Sequence, residues 1–166
     1  MAVSSYFGIA GASVIALASL LLSRTYSLYV KRRVAEYSAY LSFLELMRRE
    51  ISCSLCTPRE IGSRASSSVL EENGFIGRIR AGESMLAAFG STEKESLMSA
   101  SDRSTLEEYF RGFGLGSLDT ELRALDFVIG EISKREREER EGASARIKLA
   151  ATLLVLFAAA VTVLLI

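Results

Sequence analysis

The sequence predicts an all-α protein: an antiparallel bundle of about six helices whose first and last members are long and continue into N- and C-terminal transmembrane spans. Three observations lead there. A single proline stands in 166 residues and strand-like alternation is almost absent, so helical periodicity meets little interruption. Residues 1–23 and 149–166 carry no charge. Between them, apolar residues recur at alternating steps of three and four, the spacing of helices that bury one face.

Residues 1–23, MAVSSYFGIAGASVIALASLLLS, read as a transmembrane segment. A cleaved signal peptide would carry basic residues ahead of its apolar run. None is present, and cleavage after Ala18 would strand Leu20, Leu21 and Leu22 at a new terminus. Gly8, Ala12 and Ala16 recur every four positions, a spacing that lets helix backbones approach, and form the expected membrane-packing face.

The first helix continues through YSLYVKRRVAEYSAYLSFLELMRREISCSL. Val30, Val34, Tyr37, Leu41, Leu44, Ile51 and Leu55 form one stripe, interrupted only at Arg48. Thr57, Pro58 and Glu60 then start a short helix: a hydroxyl cap, proline at the first helical position, and an acid three residues after the cap. Further short helices are expected at 69–72, 83–89, 92–98 and 104–110, the last opened by a second capping box in STLE at 104–107. Glycines 74, 77 and 82 are expected to break NGFIGRIRAG into loop.

GFGLGSLD invites a phosphate-loop reading, but a helix precedes it and Asp119, an acid, follows where a basic residue is wanted. A tight turn with Ser117 as helix cap fits better. The last helix carries a seam of Leu118, Leu122, Leu125, Ile129 and Ile132, matching that of the first. Residues 133–147 form a charged stalk with opposite charges four apart: Lys134–Glu138, Arg135–Glu139, Glu136–Arg140 and Arg137–Glu141. Residues 149–166 span about 27 Å as a helix, close to the hydrocarbon thickness of a bilayer, and form the second transmembrane segment.

Basic residues flank both spans on the same side: Arg24, Lys31, Arg32 and Arg33 after the first, Arg146 and Lys148 before the second. The positive-inside rule places 24–148 in the cytoplasm as a helical-bundle domain, in a two-span membrane hairpin.

The composition excludes several functions. Twenty basic residues balance twenty acidic ones, which gives no overall pull toward nucleic acid. There is no histidine, hence no Ser-His or Cys-His nucleophile pair. Cys53 and Cys56 stand without the second pair a zinc site needs, and no metal or cofactor is expected. Glu50, Glu60, Glu71, Glu72, Asp102, Glu107, Glu108 and Asp119 have the spacing of solvated helix faces and caps rather than of a catalytic pair.

The order of these features resembles the stage III sporulation protein AB family: an N-terminal span, a long helix ending RREISCSLCTPRE, a GESMLAAF segment, an FGLGSLD turn, and a long helix into a C-terminal span. The strongest points are Glu50-Ile51 followed by Thr57-Pro58, the segment after Gly82, and Phe113-Gly114-Leu115-Gly116 with Asp119.

The resemblance implies a non-enzymatic component of the complex that joins mother cell and forespore during engulfment, located in the mother-cell membrane. The family's cytoplasmic domain is similar to one repeat of the platform protein of type II secretion systems. It implies as partners an ATPase-like subunit, sporulation protein AA, and the other membrane components of the complex, with a homo-oligomer allowed and no nucleic acid or small-molecule substrate. A membrane-tethered helical sensor or adaptor without catalytic activity is the alternative. Arg59, Arg64, Arg78, Arg80 and Glu83, polar positions on the short middle segments, are the expected partner contacts.

Overall fold

The computed structural model describes residues 2–53, 57–92 and 94–165. Leu55 and Cys56 lie outside the described residues, as do the side chains of Gly8, Ala12 and Ala16. Seven helices and no strand occur among the described residues: α1 (Ala2–Cys53), α2 (Pro58–Arg64), α3 (Ser68–Glu72), α4 (Phe75–Arg80), α5 (Met85–Ser91), α6 (Ala100–Gly112) and α7 (Leu118–Leu165). The chain divides into two compact units, one of residues 33–138 and one of residues 1–32 with 139–166; α1 and α7 contribute to both.

In the unit of residues 33–138, Tyr37, Tyr40, Phe43, Leu44, Met47 and Ile51 of α1 are buried in one core with residues from every other helix. Phe75 is the hub of its aromatic part: its ring centroid lies 5.5 Å from Tyr40, 5.1 Å from Phe43 and 5.8 Å from Phe110. The first two contacts are edge-to-face, which suits the ring quadrupoles. From α7 the core takes Leu125, Val128 and Ile132. The expected seam was one position too long at its start, because Leu118 is solvent-exposed.

The helices between α1 and α7 have 5 to 13 residues, and those of 5 to 7 are too short to hold themselves in water. Caps and packing compensate. Thr57 and Glu60 form the expected capping box, with the Thr57 amide donating to Glu60 Oε2 at 2.8 Å. That bond, with one from the Thr57 hydroxyl, holds the Glu60 carboxyl below its usual pKa. Ser67 and Ser84 cap α3 and α5.

Three expectations for this region are corrected. The glycine-broken stretch contains a helix, α4: Gly74 (φ 81°) and Gly82 (φ 97°) take positive φ on either side of it, while Gly77 sits inside it. Residues 94–98 are not a helix; Glu95 and Ser96 make turn-like bonds to the Thr92 carbonyl, and the Met98 amide donates to the Ser96 hydroxyl. The helix expected at 104–110 begins at Ala100, capped by Ser99, whose hydroxyl accepts from the Asp102 amide. The true cap lies five residues before the STLE box.

Part of the predicted stalk is packed rather than solvated. Glu136 is only 8% exposed, and the unit of residues 33–138 reaches beyond it. Arg135 pairs with Glu138, three residues on, and with Asp102.

In the other unit, Ser19, Leu20 and Ser23 line a cleft of about 320 Å³ with Ala151, Leu154, Val155 and Ala158. Leu17, Leu21, Leu22, Leu153, Leu156 and Phe157 point outward. Among the described residues, α7 is the helix long and apolar enough to cross a membrane, with a window of mean hydropathy 1.8, none of it buried. That is compatible with membrane association.

Candidate functional site

The five expected contact residues lie on α2, on α4 and just after α4, which pack against each other. The packing depends on Gly62: a Cβ there would stand 2.7 Å from Ile79 Cγ2, so only glycine lets α2 and α4 come this close. Arg80 fastens the junction. Its Nε donates to the Gly62 carbonyl at 3.0 Å, and its Nη2 donates to the Ala65 carbonyl at 2.8 Å and to Glu71 Oε1 at 3.0 Å. Gly62 and Ala65 lie at the C-terminal end of α2, where carbonyls lack helical partners. Arg64 pairs with Glu50 of α1, and Arg78 with Glu83 at 3.2 Å. Arg59 is exposed in the first turn of α2.

A buried polar junction, unforeseen from the sequence, ties α1 to the segment before α6. Glu36 accepts from the Ser96 hydroxyl and the Leu97 amide, both at 2.7 Å. The Tyr37 hydroxyl donates to Asp102 Oδ2 at 2.6 Å and accepts from the Ser99 amide at 3.0 Å. Ser99 also donates to Asp102 at 2.6 Å, and Arg135 approaches the other Asp102 oxygen at 3.3 Å. Asp102, read from spacing as a solvated acid, is thus a buried anchor.

Burial, then the hydrogen bond to the Asp102 carboxylate, raises the Tyr37 pKa. Burial pushes that of Tyr40, which lies 3.5 Å from the Thr92 hydroxyl, up to about 12. One signal did exist: Glu36 is an acid beside Tyr37 and Tyr40 on the face that the apolar stripe marks as inward.

The glycine-rich turn after α6 is closed by the chain itself. Gly114 has φ +82°, and Glu121 Oε1 accepts from the amides of Gly114 at 2.8 Å and Gly116 at 3.4 Å. The amides a phosphate would need are held by an internal carboxylate. Ser117 caps α7 as expected, accepting from the Thr120 amide at 3.4 Å.

Beside this turn, α6 and α7 border a groove of about 480 Å³. Tyr109, Gly112, Ala124 and Val128 supply its apolar surface, and Glu108 and Glu121 are the charged residues that line it. Tyr109 is 6% exposed, and its hydroxyl is buried without a hydrogen-bond partner. Burial first, and the Glu121 charge second, raise its pKa. Leu115 and Phe127, which also line the groove, are 84% and 66% exposed.

Among the described residues no group of three or more metal-ligating side chains occurs, and Cys53 is an exposed free thiol. What the geometry offers is surfaces: an arginine-bearing face on α2 and α4, and an acidic apolar groove at α6 and α7.

Neither the curated proteins nor the solved structures give a match. The pattern of one family does match, over residues 8–166, nearly the whole chain. On that match the chain belongs to the stage III sporulation protein AB family, and its role lies in sporulation.

Proposed function

We propose that the protein is a membrane-anchored, non-catalytic platform component of the secretion-like complex between mother cell and forespore, and that its helical unit docks a cytoplasmic secretion-type ATPase. The observation that carries this reading is the course of α1 and α7. Each contributes core residues to the unit of residues 33–138 and continues into a segment whose large apolar side chains face outward. Lipid covers such side chains without cost, whereas water does not. We read both segments as spans, with Arg24, Lys31, Arg32, Arg33, Arg146 and Lys148 holding the unit of residues 33–138 in the cytoplasm.

Two contacts support an antiparallel bundle. Arg48 of α1 pairs with Asp126 of α7, while Tyr37 and Arg135 meet at Asp102. Moving up one helix therefore means moving down the other. The ATPase contact is assigned to the face of α2 and α4, where Arg59 is exposed and the Arg78–Glu83 pair lies at the surface.

The test is cross-linking and co-purification of the full-length protein, extracted in detergent, with the ATPase-like subunit AA. Association that Arg59→Glu weakens supports the reading. No association from cross-linked membranes, or a reporter near residue 90 found outside the cell, sinks it.

A further inference from the structure

We propose that the groove between α6 and α7 receives an amphipathic helix of a partner protein, one that seats large apolar side chains between Leu115 and Phe127 and sets a lysine or arginine against Glu108 and Glu121. The groove follows the two helices bordering it: Thr105, Glu108, Tyr109 and Gly112 recur at helical spacing on α6, and Thr120, Ala124, Phe127 and Val128 do so on α7. Its volume suits a few side chains. A small molecule confined to it would leave Leu115 and Phe127 in water, because both are exposed at its edge. Covering them takes a partner surface, and an elongated groove with apolar walls is how proteins receive amphipathic helices.

The charges decide what kind of helix. The groove's charged lining is Glu108 and Glu121, with no lysine or arginine. Glu131 extends the row on α7, one turn beyond Phe127. The nearby arginines are already engaged, Arg111 with Glu107 and Arg123 with Asp119. An acidic partner or an anionic lipid surface is disfavoured there, and a basic one is drawn in.

Tyr109 gives a second, independent sign. A buried hydroxyl without a partner is costly, and native proteins seldom leave one so. Tyr109 lines the groove, so a helix that parts this wall as it seats can bring the hydroxyl a partner.

The test uses full-length protein in detergent micelles and two synthetic helical peptides as probes. Both carry Leu and Phe four residues apart; one has lysine flanks, the other glutamate flanks. Fluorescence anisotropy should show the lysine peptide binding at least about tenfold tighter, with Phe127→Ala weakening it about tenfold and Glu108→Lys removing the preference. Tyr109→Phe should weaken binding about threefold without lowering the Tm of the free protein. Equal binding of the two peptides, no binding, or indifference to Phe127→Ala overturns the proposal.

A photo-cross-linker in place of Phe127, used in sporulating cells, identifies the natural occupant. A cross-linked segment with basic residues beside apolar ones supports the proposal, whereas a lipid or a second copy of this chain overturns it. These outcomes are independent of ATPase docking on α2 and α4, so either reading can fail alone.

Discussion

Arg80→Met removes the fastening between α4 and the end of α2 while keeping a long apolar stem. Two hydrogen bonds from a charged donor to partly buried carbonyls are lost. At about 1.5 kcal/mol each they amount to roughly 3 kcal/mol, less what water returns to carbonyls it can reach. The exposed pair with Glu71 adds at most about 0.5 kcal/mol. A loss of about 2–3 kcal/mol should lower the Tm by roughly 10 °C or more in a unit of about a hundred residues. The assay is thermal unfolding of full-length protein in detergent, followed by near-UV circular dichroism, in which the tyrosines report the core. Arg78→Met, which breaks only the exposed pair with Glu83, is the control and should cost under about 0.5 kcal/mol. A Tm change for Arg80→Met as small as that of the control would falsify the fastening role. For the same reason, reversing Arg78 and Arg80 together is a poor probe of docking, whereas Arg59 is a clean one.

Gly62→Ala should destabilise by about 1–2 kcal/mol in denaturant melts, since overpacking against Ile79 exceeds the roughly 1 kcal/mol gain in helix propensity. Ile79→Leu, which lacks the offending Cγ2 methyl, should recover part of that loss; no recovery means the contact is not the cause. Tyr37→Phe should cost about 2–3 kcal/mol by removing a buried bond to a carboxylate, and should speed hydrogen exchange at the Ser99 amide. Unchanged exchange there would contradict the assignment. At alkaline pH, stability should fall from about pH 10 to about pH 12, because the unfolded chain releases the Tyr40 proton near 10 while the folded state holds it to about 12. The loss approaches roughly 3 kcal/mol, Tyr37 acts in the same direction, and Tyr40→Phe should flatten the profile.

The all-helical fold and the family were legible because their signals are local or ordered along the chain: a capping box at Thr57–Glu60, a stripe on α1, a turn at Gly114–Ser117. The internal partners of the expected contact residues were not. Arg64, Arg78 and Arg80 have the composition of a free polar face, yet each is bound within the molecule. Arg80 spends two donors on carbonyls 18 and 15 residues earlier in the chain. A helical spacing rule sees neighbours three or four residues apart, so it assigns such a side chain to solvent. The groove was missed for a related reason: Phe127 lies off the seam of the last helix and Leu115 falls in the turn, and which apolar residue stays exposed depends on how many partners α6 and α7 find.

Residues 92–99 show the same limit most sharply, and with a reason. The segment has enough helix-compatible residues to be predicted helical, and a helix would satisfy its amides internally. Instead the Leu97 amide is taken by Glu36 and the Ser99 amide by Tyr37, from 61 and 62 residues away. Both acceptors stand on the buried face of α1, where neither could remain unpaired without the cost of a lone carboxylate or hydroxyl in the core. The irregular segment and the polar teeth of α1 therefore require each other. A helix at 92–98 would strand Glu36, and an apolar residue at position 36 would leave the segment free to coil. Glu36→Leu should accordingly add helical signal while loosening the start of α6. A variant that keeps both the native helical content and the native Tm would show that this segment takes its shape from its own residues alone.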